Sequence, residues 1–256
     1  MNFSEGYNSI ARVYDKLNAE IDYAKWADFI EKCFDRYMEN KPELVLDLAC
    51  GTGSMTYKLA ERGYDMIGVD GSEEMLSEAY NRGTIVGDKN ILYLLQDIRS
   101  FELYGTVGAV TCCLDSINYL VGDGDLEKCF WTVHNYLEPN GVFIFDMNTP
   151  HKFETVYGDN SYILEDIIDG KNVYCGWQNF YDRDSKICSF YLTLFEECNG
   201  VYARSDEEQH ERCYTFDEVK NSLEKCGFEL LSVSSDYNFS EINENTERWY
   251  FIAKRI

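Results

Sequence analysis

Apolar residues recur at helical spacing through Trp26, Phe29, Ile30, Cys33, Phe34 and Tyr37, which predicts a helical segment over about 7–39 with one apolar face, stopped before Pro42. From 44 to 149 the pattern changes to short apolar runs alternating with amphipathic stretches. LVLDLA, DMIGVD, ILYLLQDI, VGAVTCCLDS and VFIFDMN read as strands. SMTYKLAER reads as a helix closed by Gly63, and SEEMLSEAYNR as one capped by Ser72 and closed by Gly83. DLEKCFWTVHNYL reads as a third, ending at Pro139-Asn140-Gly141. Apolar strands alternating with amphipathic helices imply a mostly parallel sheet covered on both faces, an α/β architecture.

Between about 150 and 214 the runs become strand-like throughout: YILEDII, NVYCGWQNFYD, KICSFYLTLFEE and VYARSDEEQHERCYT. Turn signals at Asp169-Gly170, Asp182-Arg183-Asp184-Ser185 and Asn199-Gly200 separate them, so an inserted antiparallel sheet is expected over 150–214. The α/β rhythm returns at Thr215-Phe216-Asp217-Glu218, a T-x-x-E capping box, followed by two closing strands in FELLSVSSDYNF and ERWYFIAKRI. The expected organisation is one domain over 1–149 and 215–256, with the insert as a lid.

Composition narrows the function classes. A formal net charge of -23 argues against nucleic acid as the main partner, since neutralising phosphates needs a surface of Lys and Arg. No apolar run reaches membrane-span length, and MNFSEGYNSIARVYDKL lacks the order of a signal peptide, so neither membrane attachment nor export is expected. The ten cysteines are scattered without a C-x-x-C pair and read as reduced, buried thiols of a cytoplasmic protein. With only three histidines, His134, His151 and His210, no metal site is expected.

The chemistry concentrates at strand ends. LVLDLACGTGSM carries Asp47 at the end of the first strand, then Ala49, Cys50, Gly51, Thr52 and Gly53 before a helix. The turn lacks the Lys-Ser or Lys-Thr of a P-loop, and Thr56 stands where a dinucleotide fingerprint needs its third glycine. Asp70 ends the second strand, where an acid can accept both hydroxyls of a ribose, and Asp97 ends the third. With no Arg or Lys near the turn to neutralise a diphosphate, the acids suit an adenosine that carries a cation.

These segments resemble the motifs of class I S-adenosylmethionine-dependent methyltransferases. VLDLACGTG is similar to the first motif, with Ala49 at the usual first glycine. GVDGSEEML is similar to the second, with Asp70, Gly71 and Ser72 at the ribose and Met75 against the adenine. LLQDIRSFEL resembles the adenine-side motif, with Gln96, Asp97 and Ile98. TCCLDSINYL resembles the fourth-strand segment, and LEPNGVFIFDMN the helix–turn–strand that follows. The resemblance implies a Rossmann-like seven-stranded sheet with an antiparallel last strand, S-adenosyl-L-methionine as cofactor, and methyl transfer to a nucleophile. Within the family the chain is most similar to small-molecule enzymes of the glycine and amino-sugar N-methyltransferase kind. A small-molecule acceptor, more at nitrogen than oxygen, is therefore expected, from a monomer or homodimer. A nucleic-acid methyltransferase and a non-catalytic cofactor-binding module are the alternatives.

Methyl transfer needs in-line positioning and exclusion of water more than a nucleophilic side chain. An aromatic of the N-terminal cap, Tyr14 or Trp26 with Tyr7 behind them, is the candidate to stand beside the sulfonium. Leu114, Asp115, Asn118 and Tyr119 follow the fourth strand, where donor and acceptor should meet. Asp115 or Ser116 could equally cap a helix there. His151, after the fifth strand, is a candidate base; His134 and His210 read as packed and solvated. Tyr174, Trp177, Phe180, Tyr181, Phe190 and Tyr191 in the insert read as sheet packing, some of them roofing the site.

Overall fold

The computed structural model describes residues 10–168 and 170–256; Tyr7, and Asp169 of the expected Asp169-Gly170 turn, lie outside the described residues. The chain opens with α1 (Ala11–Leu17) and α2 (Tyr23–Tyr37), then β1 (Leu44–Leu48), α3 (Ser54–Glu61), β2 (Asp65–Asp70), α4 (Glu73–Arg82), β3 (Ile85–Val86) and β4 (Lys89–Leu95). It continues through β5 (Val107–Cys112), a 3-10 turn at Ser116–Tyr119, α5 (Asp125–Tyr136), β6 (Leu137–Asn148) and a π-helical turn at Lys152–Tyr157. Four long strands follow: β7 (Ser161–Ile168), β8 (Lys171–Asp182), β9 (Ile187–Cys198) and β10 (Val201–Arg212). The chain closes with α6 (Phe216–Lys225), β11 (Phe228–Ser234) and β12 (Arg248–Arg255).

The main sheet has the order β11-β12-β6-β5-β1-β2-β4-β3. Strands β1, β2, β4, β5 and β6 pair in parallel, and β12 lies antiparallel between β6 and β11. Chain order reverses at β1, with β2 and β4 on one side and β5 and β6 on the other. Open α/β sheets bind ligands at such a reversal, beyond the carboxyl ends of the strands. Here that crevice lies past β1 and β5.

Successive strand residues face opposite sides, so Leu46 and Val45 enter different cores. Leu46, Val110 and Phe143 pack against Phe130 and Val133 of α5 and Leu223 of α6. Val45, Met66 and Ala109 pack against Phe29 and Phe34 of α2 and Leu59 of α3. Each such fully buried side chain contributes about 1.5–3 kcal/mol.

Three expectations are corrected. The sheet has eight strands rather than seven, because β3 adds a two-residue antiparallel edge through a turn at Gly87, φ +63°. Two residues have no period to read, and Ile85 is exposed. The segment 7–39 is not one helix: the chain leaves α1 at Asn18, whose side chain donates to Tyr14 O, and restarts at Asp22, whose carboxylate accepts the Lys25 N–H at 3.0 Å. Asn and Asp offer the backbone such local partners in competition with a continuous helix. Finally, α5 ends at Tyr136, and Leu137 is already extended ahead of Pro139. The β5–β6 register jumps from Val107↔Leu137 to Ala109↔Val142, so Pro139-Asn140-Gly141 forms a bulge within β6.

The four long strands form a separate antiparallel sheet, β10-β9-β8-β7. Its inner face buries Cys175, Phe190 and Leu192 against Ile10 and Val13 of α1 and Phe153 of the π turn. Phe180 and Tyr191 lie exposed on its outer face. Thus the apolar side of α1 packs on the inserted sheet.

Candidate cofactor and acceptor site

Residues 49–53 turn sharply because Ala49, Gly51 and Gly53 all adopt left-handed backbone, with φ of +56°, +53° and +72°. Ala49 carries a Cβ in that region, at a cost of about 1–2 kcal/mol. A Cβ at Gly51 would meet only Met75 Sδ, at 3.9 Å, so this peptide faces open space. A Cβ at Gly53 would fall 2.6 Å from Tyr93 Oη and 3.0 Å from Ala79 Cβ. Gly53→Ala is therefore expected to destabilise the protein by about 2 kcal/mol or more, combining a left-handed Cβ with overpacking. Gly51→Ala should carry only the backbone part and act chiefly on ligand binding. Urea unfolding with and without S-adenosylhomocysteine separates the two, and equal stability losses would contradict the contrast.

Asp70 organises the turn. Its Oδ2 accepts the Gly51 N–H at 2.8 Å and its Oδ1 the Ser72 N–H at 2.8 Å. Burial raises its carboxyl above the usual range, and these backbone hydrogen bonds oppose the rise. Ser72 caps α4 by accepting the Met75 N–H at 3.1 Å, which seats the buried Met75 beside Gly51.

Asp47 points inward. It is 1% exposed and accepts from Thr56 Oγ1 at 2.6 Å and Thr111 Oγ1 at 3.0 Å. Burial, only partly opposed by these hydroxyls, raises its carboxyl to about 6. A carboxyl raised on folding stabilises the native state fully below about pH 4, and that contribution is lost as pH rises through about 6. Asp47→Asn should therefore gain stability over the parent between pH 4 and 7, by up to about 3 kcal/mol, while weakening cofactor binding. Parallel urea titrations at pH 5 and pH 8 check the sign; a gap that narrows with pH contradicts it.

A cleft opens over this turn, lined by Tyr14, Tyr23, Asp47, Gly51, Cys113 and Leu114, with Ala49, Cys50 and Thr52 also in its wall. Tyr14 and Tyr23 come from α1 and the start of α2, and burial raises both phenols. Asp15 straps α1 onto the turn, accepting from Thr52 Oγ1 at 2.7 Å and Ser54 Oγ at 3.1 Å. Arg82 of α4 ion-pairs with Asp15 and donates its Nε to Thr52 O at 3.1 Å. A cation thus does reach the turn, but it is tied to Asp15 and a carbonyl. Tyr23, Asp15 and Arg82 carry no motif and are distant from the glycines in sequence, so the sequence reading missed them.

The other expected cofactor residues divide. Trp26 is 1% exposed and packs on Tyr237 and Tyr250 at ring separations of 6.1 and 6.0 Å, within the core rather than the cleft. Helical spacing puts it on the apolar face of α2, while Tyr23 is the ring that α2 lends to the cleft. Gln96 closes its own turn, accepting the Glu102 N–H at 2.6 Å and donating to Glu102 O at 3.1 Å. Asp97 is forked by Arg99, with contacts of 2.5 to 3.0 Å. Burial would raise the Asp97 carboxyl, but the Arg99 bonds outweigh it and hold it low. Ile98 is fully buried beside Phe101. From the third strand end, then, backbone rather than the Asp97 carboxylate is left to meet an adenine.

Past Leu114 lies a second set of residues. Leu114 and Asp115 are both left-handed, φ +60° and +53°, a strained pair at the end of β5. Asp115 makes no side-chain cap; instead its Oδ1 pairs with Arg248 Nη1 at 2.7 Å, and its N–H donates to Asp146 Oδ2 at 3.1 Å. Arg248 also ion-pairs with Asp146. Asn148 Nδ2 donates to Asp115 Oδ2 at 3.0 Å, to Glu211 Oε2 at 2.9 Å and toward Tyr157 Oη at 3.3 Å. Lys152 Nζ reaches Asn148 Oδ1 at 3.0 Å. Burial raises Asp146 to about 6 and Glu211 well above the carboxylate range. Burial also acts to raise Asp115, but the Arg248 and Lys152 charges keep it low.

Tyr119 donates to Gln209 Oε1 of β10 at 2.9 Å, and Asn118 Nδ2 to Arg212 O at 2.9 Å, joining the 3-10 turn to the inserted sheet. His151 starts the π turn, and its ring stands 3.3 Å from Thr155 Oγ1; its neighbour Lys152 is the residue that reaches the cluster. Glu211, Arg248 and Lys152 meet Asp115 only through the tertiary fold. Among the described residues, no group of three or more His, Cys, Asp and Glu side chains is placed to hold a metal ion.

The donor set fits an adenosyl sulfonium. It offers an acid at the second strand end, an open Gly51 peptide, two tyrosine rings and, among the described residues, no cation lining the cleft.

Comparison with known proteins agrees with this chemistry. A methyltransferase-domain family model matches residues 45–141. The Bacillus subtilis (strain 168) protein YqeM, which carries a methyltransferase designation, is 33% identical over 97% of this chain and 97% of its own. A crystal structure of an S-adenosylmethionine-dependent methyltransferase from Clostridium acetobutylicum ATCC 824 is 35% identical, with a TM-score of 0.84 over 97% of this chain and 98% of that one. The dTDP-3-amino-3,4,6-trideoxy-alpha-D-glucopyranose N,N-dimethyltransferase of Streptomyces venezuelae is 30% identical over 77% of this chain and 80% of its own. The chain belongs to the class I S-adenosylmethionine-dependent methyltransferases, with S-adenosyl-L-methionine as its cofactor.

Proposed function

We propose that the protein methylates a nitrogen of a small polar molecule. The observation that carries this reading is the buried cluster past Leu114, where Asp115, Asp146 and Glu211 outnumber Arg248 and Lys152. An excess of carboxyl groups at the acceptor end suits an amine. The amino-sugar substrate in the name of the Streptomyces venezuelae relative is of that class.

Asp70 would hold the ribose hydroxyls, with Gly71, Ser72, Met75 and the backbone of 96–98 around the adenine. Asp47 and the Gly51–Gly53 peptides would hold the methionine end, and Tyr14 and Tyr23 would flank the sulfonium. Bound there, S-adenosyl-L-methionine supplies a methyl already activated by positive sulfur. The residues' work is then to orient the acceptor and exclude water. Asp115 and Tyr119 would position the acceptor. The segment 150–214 would close over it as a lid, since its inner face supplies Glu211 and Gln209. The unpaired cysteines support a reducing, cytoplasmic location.

The test is product detection by mass spectrometry after offering methyl-labelled cofactor with a small-metabolite extract. Label is expected in amine products. Label confined to O-methyl products or to added RNA would overturn the nitrogen assignment.

A further inference from the structure

We infer that the acceptor enters as a protonated amine beneath the inserted sheet, and that Glu211, paired with Asp115, takes the proton its nitrogen must lose. The inference rests on the N-methyltransferase reading and names the groups that would make it work. Glu211 lies on β10 and is 2% exposed. It shares Asn148 Nδ2 with Asp115, at 2.9 and 3.0 Å, which sets the two buried carboxyl groups side by side. Two carboxyls so placed in a buried site hold one proton between them. Asp115 directly follows Leu114 of the cofactor cleft, so the pair stands between that cleft and the inner face of the sheet.

The surrounding charges leave Glu211 for a ligand. Arg248 is occupied by Asp115 and Asp146. Lys152 sits on Asn148 and over the Tyr157 ring at 4.9 Å. The groups facing Glu211 are Asp115, Lys152, Tyr157 and Cys188, with Arg248 and Asp146 behind Asp115. Once the shared proton has left, three carboxylates face two cations, which leaves room for one ammonium.

An independent observation points to a polar ligand on the same face. Asn179 of β8 is 6% exposed, and neither its amide nitrogen nor its amide oxygen has a hydrogen-bond partner. The register sets Asn179 opposite Phe190, and Phe190 opposite Gln209, so Asn179, Gln209 and Glu211 share the inner face. From strand spacing and rise, the Asn179 and Glu211 Cα atoms stand about 12 Å apart. That separation matches the length of a sugar-sized molecule. A buried amide without partners is uncommon and unfavourable, and a ligand hydroxyl would satisfy it.

The step balances. As the ammonium enters, the proton shared by Glu211 and Asp115 leaves to solvent; the ammonium then gives one N–H proton to the Glu211 carboxylate, which frees the nitrogen lone pair. The N–C bond forms as the C–S bond breaks, leaving a methylated ammonium, a neutral thioether and a protonated Glu211 that returns its proton to solvent.

The test needs no acceptor. Sinefungin carries an amine where the cofactor carries its sulfonium methyl; S-adenosylhomocysteine carries neither. Calorimetry in buffers of different ionisation enthalpy should show sinefungin releasing about one more proton than S-adenosylhomocysteine, with affinity relative to it rising up to about tenfold per pH unit. Glu211→Gln should abolish both differences, and retained S-adenosylhomocysteine binding shows that the variant folds. Equal proton release in the parent protein, or an unchanged difference in Glu211→Gln, overturns the proposal. Failure of both ligands to bind overturns instead the cofactor-site reading beneath it. Asn179→Leu should raise the Tm while cutting label transfer into amine products by about tenfold or more, the scale of one lost buried hydrogen bond. Undiminished transfer removes Asn179 from the site.

Discussion

Asp70→Ala is expected to weaken S-adenosylhomocysteine binding by at least about a hundredfold and to destabilise the free protein as well. The side chain has two tasks. In the proposed function it accepts the ribose hydroxyls, and its oxygens already take the Gly51 and Ser72 N–H groups at 2.8 Å. Hydrogen bonds to a charged acceptor are worth about 1.5–3 kcal/mol each, and donors left unmet in a buried turn cost a further increment. Alanine therefore loses the ligand contact and loosens the turn that presents the Gly51 peptide. Asp70→Asn separates the two effects, because its one acceptor oxygen can serve Gly51 or Ser72 but not both. Calorimetric affinity and urea midpoints of both variants measure the division. An affinity within threefold of the parent in Asp70→Ala would remove Asp70 from the ligand site.

Arg248→Met should destabilise the fold by about 3–5 kcal/mol, the cost of leaving buried charge without its partner. For a chain of this size that is a drop in Tm of about 10 °C. Arg248 bridges Asp115 and Asp146, and Asp146 is fully buried. Without the guanidinium both carboxyls titrate higher in the folded protein. The stability they withhold is then lost as pH rises through those values. The deficit should accordingly be largest above neutrality and shrink toward pH 5 as both groups bind protons. Adding Asp146→Asn to Arg248→Met should restore part of the loss by removing one uncompensated charge. Thermal melts of the single and double variants from pH 5 to 8 decide the matter. A small, pH-independent loss would mean that the ion triad contributes little.

Much of the fold follows from local pattern. The strands carrying Asp47, Asp70 and Thr111 were legible because short apolar runs and glycine stops are local signals, and Ser72 and Thr215 mark helix starts by hydrogen bonds within three residues. The edge strand at Ile85–Val86 was not, since two residues set no period. Trp26 reads the same from spacing whether it packs under a helix or closes a cleft. Only the packed neighbours Tyr237 and Tyr250 distinguish these. The acid at 97 was visible as a residue, but its engagement by Arg99 depends on side-chain conformation.

The sequence by itself determined the donor half of the chemistry. Backbone freedom at Gly51 and Gly53 and acids at strand ends act through residues close in the chain, where spacing stands in for distance. The proposed acceptor half was decided by tertiary structure alone. Asp115, Asn148, Glu211 and Arg248 come from four strand ends and turns, brought together by the pairing of β12 with β6 and by the inserted sheet folding onto the 3-10 turn. Their charges interact only because burial removes water from between them. That physical condition belongs to the fold and to no segment of the sequence.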